Sequence, residues 1–159
     1  MSQTIEQLLI SRNELERIYK GTLTLHLWRA LHNKSSRTTN PLYPDFETRV
    51  IQHVRFRLPD VEVMTHRGVE YVIARLGRGT SLFDKPGAIG SSQWFYFEIP
   101  QGTEIPNGII TTKDEYNEKY QATHYSTLPN HTMPKPVFCK ILDDLARNAI
   151  ARKKKSSHG

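Results

Sequence analysis

Thr22-Leu23-Thr24-Leu25-His26-Leu27-Trp28-Arg29-Ala30-Leu31 decides how this chain is read. Period-two alternation puts Leu23, Leu25, Leu27, Arg29 and Leu31 on one face of a strand, with Thr24, His26, Trp28 and Ala30 on the other. One arginine therefore stands in a row of leucines. A guanidinium in an apolar row calls for a partner such as a bound anion, or for a strand end from which it reaches water.

Working outward, Thr4 to Lys20 predicts a helix. Thr4 and Gln7 stand at capping-box spacing, Ile5, Leu8, Leu9, Leu15, Ile18 and Tyr19 share one side, and Gly21 ends it. Ser11 and Glu14 repeat the capping spacing, so a restart at Ser11 is the alternative. After the strand, Asn33 to Pro44 is a polar loop that would lie over a site. Asp45 to Leu58 is expected to open as a short helix, although Val54, Phe56 and Leu58 alternate as in a strand. Val61 to Met64 and Val69 to Arg75 predict a hairpin around Arg67-Gly68.

Gln93 to Ile99 is an aromatic strand, followed by a connection rich in proline and glycine. Thr112 and Glu115 form a further capping box, predicting a short helix through Tyr120. Thr123 to Leu128 reads as a strand. Val137, Phe138, Ile141, Leu142, Leu145 and Ile150 mark a final amphipathic helix that runs into a basic tail at 151–159.

A length of 159 residues suits one domain, here taken as 1–159. The formal charge of +6 is partly local. Removing the four cations of Arg152-Lys153-Lys154-Lys155 from 22 Lys and Arg leaves 18 against 16 Asp and Glu. The tail reads as a solvated extension, and net charge alone does not argue for nucleic-acid binding. Cys139 is the only cysteine, so an intrachain disulfide and a cysteine-rich zinc site are both excluded. Neither a cleavable leader nor a membrane-length apolar run is legible, so the expected location is the cytoplasm, or export without a cleaved signal.

The polar and hydroxyl residues gather in four blocks: Arg78-Gly79-Thr80-Ser81-Leu82-Phe83-Asp84, Ile99-Pro100-Gln101-Gly102-Thr103-Glu104-Ile105-Pro106, Gln121-Ala122-Thr123-His124-Tyr125 and Arg147-Asn148-Ala149-Ile150. Such blocks suit a site built on strand ends and loops. The seven histidines show no metal-ligand spacing, so no metal site is expected. A nucleophile elbow is absent, and the apolar setting of Cys139 argues against an activated thiol. Acid–base chemistry on RNA would need His124, His26 and a lysine to meet.

Taken in order, these blocks resemble a toxic effector family of bacterial type VI secretion whose founding member comes from Pseudomonas. The resemblance covers roughly Arg78 to Arg152, and Leu27-Trp28-Arg29-Ala30 is similar to the family's first core strand. It implies an α+β, ADP-ribosyltransferase-like fold: a split, bent, mixed sheet with helices at both chain ends and a cleft that holds folded NAD. It implies Arg29 on a phosphate or ribose, and Gly79, Thr80 and Ser81 around the nicotinamide side. Phe83, or an aromatic residue of Trp94 to Phe97, would stack on the ring. These transferases usually carry a glutamate in a third motif. The matching block here offers Gln121 and His124 instead, with Glu118 three residues earlier as a possible substitute. The resemblance further implies NAD as substrate without a metal, a macromolecular acceptor and a cognate immunity protein. The rival readings are a ribonuclease-type toxin and a non-catalytic domain that binds a nucleotide or RNA.

Overall fold

The computed structural model describes residues 3–33, 40–47, 49–51, 55–57 and 59–158, with side chains left aside at 49–51, 55–57 and 158. Helix α1 is short, Ile5–Ser11. Thr4 caps it by the expected box, accepting from Gln7 N–H while Gln7 Oε1 accepts from Thr4 N–H. The chain does not continue as helix to Lys20. After a left-handed Asn13 it makes one tight turn, Leu15–Arg17, and enters strand β1, Ile18–Tyr19. The apolar spacing that predicted one long helix instead supplies two elements: Ile5 and Leu9 pack beneath α1, and Ile18 joins the same cluster from the strand.

Strand β2 is Leu27–His32, shorter than the alternation allowed, since Leu23 and Leu25 enter the core from the approach to it. The predicted helix after Asp45 is replaced by two short strands, β3 (Arg49–Ile51) and β4 (Arg55–Arg57), paired antiparallel. Val54 and Leu58, two of the three residues that carried the rival alternation, lie outside the described residues. Of the polar loop, 34–39 lies outside the described residues. Its end is anchored, because Asn40 Nδ2 donates to the Leu142 carbonyl (3.1 Å) and to Asp143 (2.9 Å). The expected hairpin is present as β5 (Val63–His66) and β6 (Val69–Val72), with Arg67 and Gly68 both at positive φ in its turn.

Strands β7 (Thr80–Phe83), β8 (Trp94–Ile99), β9 (Ile109–Asn117) and β10 (Ala122–Pro129) complete the main sheet. Thr112 to Tyr120 is therefore strand and hairpin turn, not helix. Thr112 and Ser126 register as cross-strand partners, and that pairing wins over the local capping signal. Short β11 (Met133–Pro134) pairs with β6 and leads into the long helix α2, Lys135–His158.

The six-stranded order is β1-β9-β10-β7-β2-β8. Its ladders are antiparallel throughout, so the α+β class stands while the mixed sheet does not. One face carries the main core, where Leu27, Leu82 and Tyr125 meet Phe138, Leu142, Leu145 and Ala149 of α2. The i, i+4, i+7 and i+11 spacing on α2 is what turns those four side chains to one side. The other face buries Ile110 and Leu128 under Ile5 and Leu9.

The basic tail is not a free extension. It continues α2, with Arg152 Nε donating to the Gln101 carbonyl (3.0 Å) and Lys153 3.5 Å from Glu98.

Candidate functional site

The pairing of β2 with β7 is a single registered pair, Trp28 with Phe83, whereas β2 and β8 pair along their whole length. Beyond that pair the sheet parts. Arg29 fills the opening: Nη1 donates to the Ser81 carbonyl and Nη2 to the Tyr43 carbonyl, each at 3.3 Å. An unpaired strand edge offers carbonyl oxygens that need donors, and a guanidinium can supply several at once. This accounts for a cation in the leucine row. The Tyr43 phenol is itself fixed by donation to Asp143 (2.8 Å), and burial first, then that bond, pushes its pKa well above the usual value.

A cleft of about 280 Å³ occupies the parting. Arg29 and Leu31 reach it from one face of β2, Ala30 and His32 from the other, which requires an open sheet edge. Ser81 and Phe83 face it from β7 and Trp94 from β8. Tyr120, in the β9–β10 turn, closes one side with its ring 6.0 Å edge-on to Phe83.

The site residues expected from sequence thus divide. Arg29, Ser81 and Phe83 come together. Thr80 turns away: it is fully buried, and its hydroxyl donates to the Leu42 carbonyl at 2.6 Å. Gly79 is buried behind it, where a Cβ would collide with the Thr127 carbonyl of β10. Its lack of a side chain lets two backbones touch rather than admit a ligand. Gln121 is exposed at positive φ, closing the hairpin turn next to Tyr120. Glu118 starts that turn, its carbonyl accepting from Gln121 N–H. Arg147 is exposed on α2 and paired with Asp144. Cys139 is partly exposed, and burial more than any other influence raises its thiol pKa, the wrong direction for a nucleophile.

His124 lies across Phe83 from the cleft, the two rings 5.5 Å apart. It borders a second cavity of about 320 Å³, formed with Arg17, Leu76, Gly77, Asp114 and Glu115. His124 Nδ1 is 2.9 Å from Asp114 Oδ2. The same carboxylate accepts from Ser126 (2.6 Å) and Thr112 (3.0 Å), and Arg17 stands 3.7 Å away. Burial alone would raise the Asp114 pKa, but the bonds from His124, Ser126 and Thr112 together with the histidine's charge hold it below the ordinary value. Asp114 was not legible as a site residue, because the segment reads locally as a helix. Treating Ile109 to Pro129 as a hairpin would have set it opposite His124.

His26 is elsewhere. It lies 3.5 Å from Glu98, and its Nδ1 accepts from Gln101 N–H at 3.2 Å. It directly precedes β2, which is two places from the strand of His124 in the sheet order. The pair needed for acid–base cleavage of RNA is not assembled by this fold. Among the described residues no three His, Cys, Asp or Glu side chains gather as a metal site would require, and no helix is long and apolar enough to cross a membrane.

A family model described as Tse2 ADP-ribosyltransferase toxin matches residues 7–154. Toxin Tse2 of Pseudomonas aeruginosa (strain PAO1) is 35% identical over 118 residues, covering 74% of this chain and 72% of the relative.

Proposed function

Because the chain belongs to the Tse2 ADP-ribosyltransferase toxin family, we propose that it transfers ADP-ribose from NAD to a macromolecule in the cytoplasm of a target cell. The observation that carries this reading is the shared lining of the sheet opening by Arg29, Ser81 and Phe83. A guanidinium offers bidentate donation to a phosphate or ribose, and a phenyl ring offers a face to a pyridinium. At about 280 Å³ the opening falls just below the usual range of ligand pockets, roughly 300–1,000 Å³. It suits the nicotinamide–ribose half of the dinucleotide, with the adenosine half over the adjoining surface.

In this reading Arg29 holds the diphosphate or ribose and Ser81 faces the nicotinamide side. Phe83 lies beside the ring, and Tyr120, packed edge-on against Phe83, closes that side of the cleft. Thr80 and Gly79 act behind the strand, fixing β7 to the Leu42 loop and to β10 so that Ser81 keeps its place. Gln121 and His124 flank the exit towards the acceptor. No metal is required, since departure of nicotinamide from a positively charged glycosyl donor needs no Lewis acid. Cells that make the toxin need a cognate immunity protein, and a cover over the opening is the simplest way for it to act. The toxin reaches its target by export of the type VI kind.

The test is expression in a susceptible cell with and without Arg29→Ala, followed by mass spectrometry for added ADP-ribose and by assay of nicotinamide release. Growth arrest with ADP-ribose on a host macromolecule, both lost in the variant, is expected. Growth arrest with RNA cleavage that needs no NAD would replace this reading with the nuclease.

A further inference from the structure

Asp45 and Asp60 line the same opening as Arg29 and Ser81, although neither falls in the four polar blocks of the sequence. Two loops carry them. The first is pinned by the Thr80 hydroxyl at the Leu42 carbonyl and by Arg29 at the Tyr43 carbonyl. The second is held by Arg78, whose Nη2 donates to the Pro59 carbonyl (2.6 Å) and Nε to the Asp60 carbonyl (3.3 Å), and by the fully buried Val61. The loops are then tied to each other. Asp60 N–H donates to the Asp45 carbonyl, and Asp60 Oδ2 accepts from Asp45 N–H, each at 2.8 Å. Asp45 gives its main chain to this tie, whereas Asp60 gives its side chain. The half-buried Asp60 carboxylate therefore has a set orientation on the wall of the opening.

We propose that Asp60 is a catalytic residue whose carboxylate stabilises the ribosyl cation formed as nicotinamide departs. This rests on the NAD-dependent reading above and deepens it. The bond from C1′ to the pyridinium nitrogen breaks, and its electron pair stays on that nitrogen, so nicotinamide leaves neutral. The positive charge passes to C1′ and the ring oxygen of the ribose. A carboxylate fixed in advance stabilises that charge without having to reorganise, and it forms no bond to the sugar. A lone pair of water or of the acceptor then bonds to C1′, and the proton that this group loses passes to solvent. The opening thus meets the donor with a cation, Arg29, and an anion, Asp60, from opposite loops and strands of one wall.

Asp60→Asn keeps an amide oxygen for Asp45 N–H and removes the charge. With the purified full-length chain, kcat for nicotinamide release from NAD should fall about 10²–10³-fold in this variant. Carba-NAD, whose ribose ring oxygen is replaced by a methylene, cannot form the cation. Its Kd should stay within about threefold of the parent's, because an interaction made only in the transition state does not hold the ground state. The urea midpoint should also match the parent's. A merely structural aspartate would instead lower the midpoint and weaken carba-NAD binding. Asp60→Glu restores the charge on a longer arm and should recover part of the release.

Release from Asp60→Asn at the parent's rate overturns the proposal, as does a loss of release matched by an equal loss of carba-NAD binding, or a larger loss of release in Asp45→Asn. Should Asp60→Asn not fold, Asp60→Ser, again an uncharged acceptor, carries the same expectations. If the parent arrests growth but releases no nicotinamide, the NAD reading itself fails and the role of Asp60 falls with it, whereas full release from Asp60→Asn strikes Asp60 alone.

Discussion

Arg29 spans the opening between β2 and β7, donating to the main-chain carbonyls of Ser81 and Tyr43. The arginine is thus both a piece of the scaffold and the cation nearest the proposed donor site. Arg29→Ala is expected to lower stability as well as activity. Two hydrogen bonds from a charged donor are worth about 1.5–3 kcal/mol each, and the half-buried setting suggests a combined loss of about 3 kcal/mol. Urea unfolding measures this. Arg29→Lys can bridge only one carbonyl with good geometry and should recover less than half of that loss.

Thr80 and Ser81 are neighbours with separate duties. Thr80→Val leaves the buried Leu42 carbonyl without its donor and should cost about 1–3 kcal/mol in urea unfolding. Nicotinamide release measured well below the melting temperature should fall less than in Ser81→Ala, because the hydroxyl acts on the cleft only through the placing of β7. Ser81→Ala is expected to do the reverse, shifting stability by no more than about 0.5 kcal/mol while reducing release. Equal losses of stability in both variants would show that the two hydroxyls share one structural role.

At Gly79 an added methyl group meets backbone on β10, and a strand cannot yield as a flexible side chain would. Gly79→Ala is expected to destabilise by roughly 3 kcal/mol, at the upper end of overpacking costs. Its melting temperature would settle this, since an unchanged value is incompatible with the contact.

The depressed Asp114 pKa carries a stability signature. A carboxylate with its folded pKa below the unfolded value contributes fully above the unfolded pKa, near about 3.9. As pH falls past that point the contribution shrinks, and it is gone below the folded pKa. Unfolding of the parent and of Asp114→Asn, compared across pH, should therefore show a gap at neutral pH that narrows only below about pH 4. A gap that stays constant down to pH 2 would exclude this linkage.

The end of α2 divides between anchored and free cations. Removing 154–159, of which 154–157 are exposed, should leave the melting temperature unchanged. Removing 152–159 also takes the Arg152 bond to Gln101 and the Lys153 pair with Glu98, and should lower it by about 2–4 °C. Toxicity should survive the shorter truncation.

Sequence periodicity was enough for the elements that bury one continuous face. The alternation around Arg29, the aromatic strand Trp94–Ile99 and the apolar stripe of α2 were all legible. It misled where local and long-range signals compete. Thr112 and Glu115 carry a helix-start signature, yet the segment satisfies its backbone by pairing with β10. That misreading also hid Asp114, whose importance comes only from lying opposite His124. Thr80 and Ser81 look alike in one dimension, and which hydroxyl turns inward depends on pairing parity that a single strand does not reveal. Arg29 was visible as an anomaly because a cation in an apolar row demands a partner, although the Ser81 and Tyr43 carbonyls that it bonds come from distant segments.

Phe83 has a ring that borders the sheet opening on one side and abuts His124 on the other. It acts as a party wall between two chambers. A blocker lodged in either one would press on the same partition, and any substitution that reshapes the wall to evade it would disturb the room next door as well.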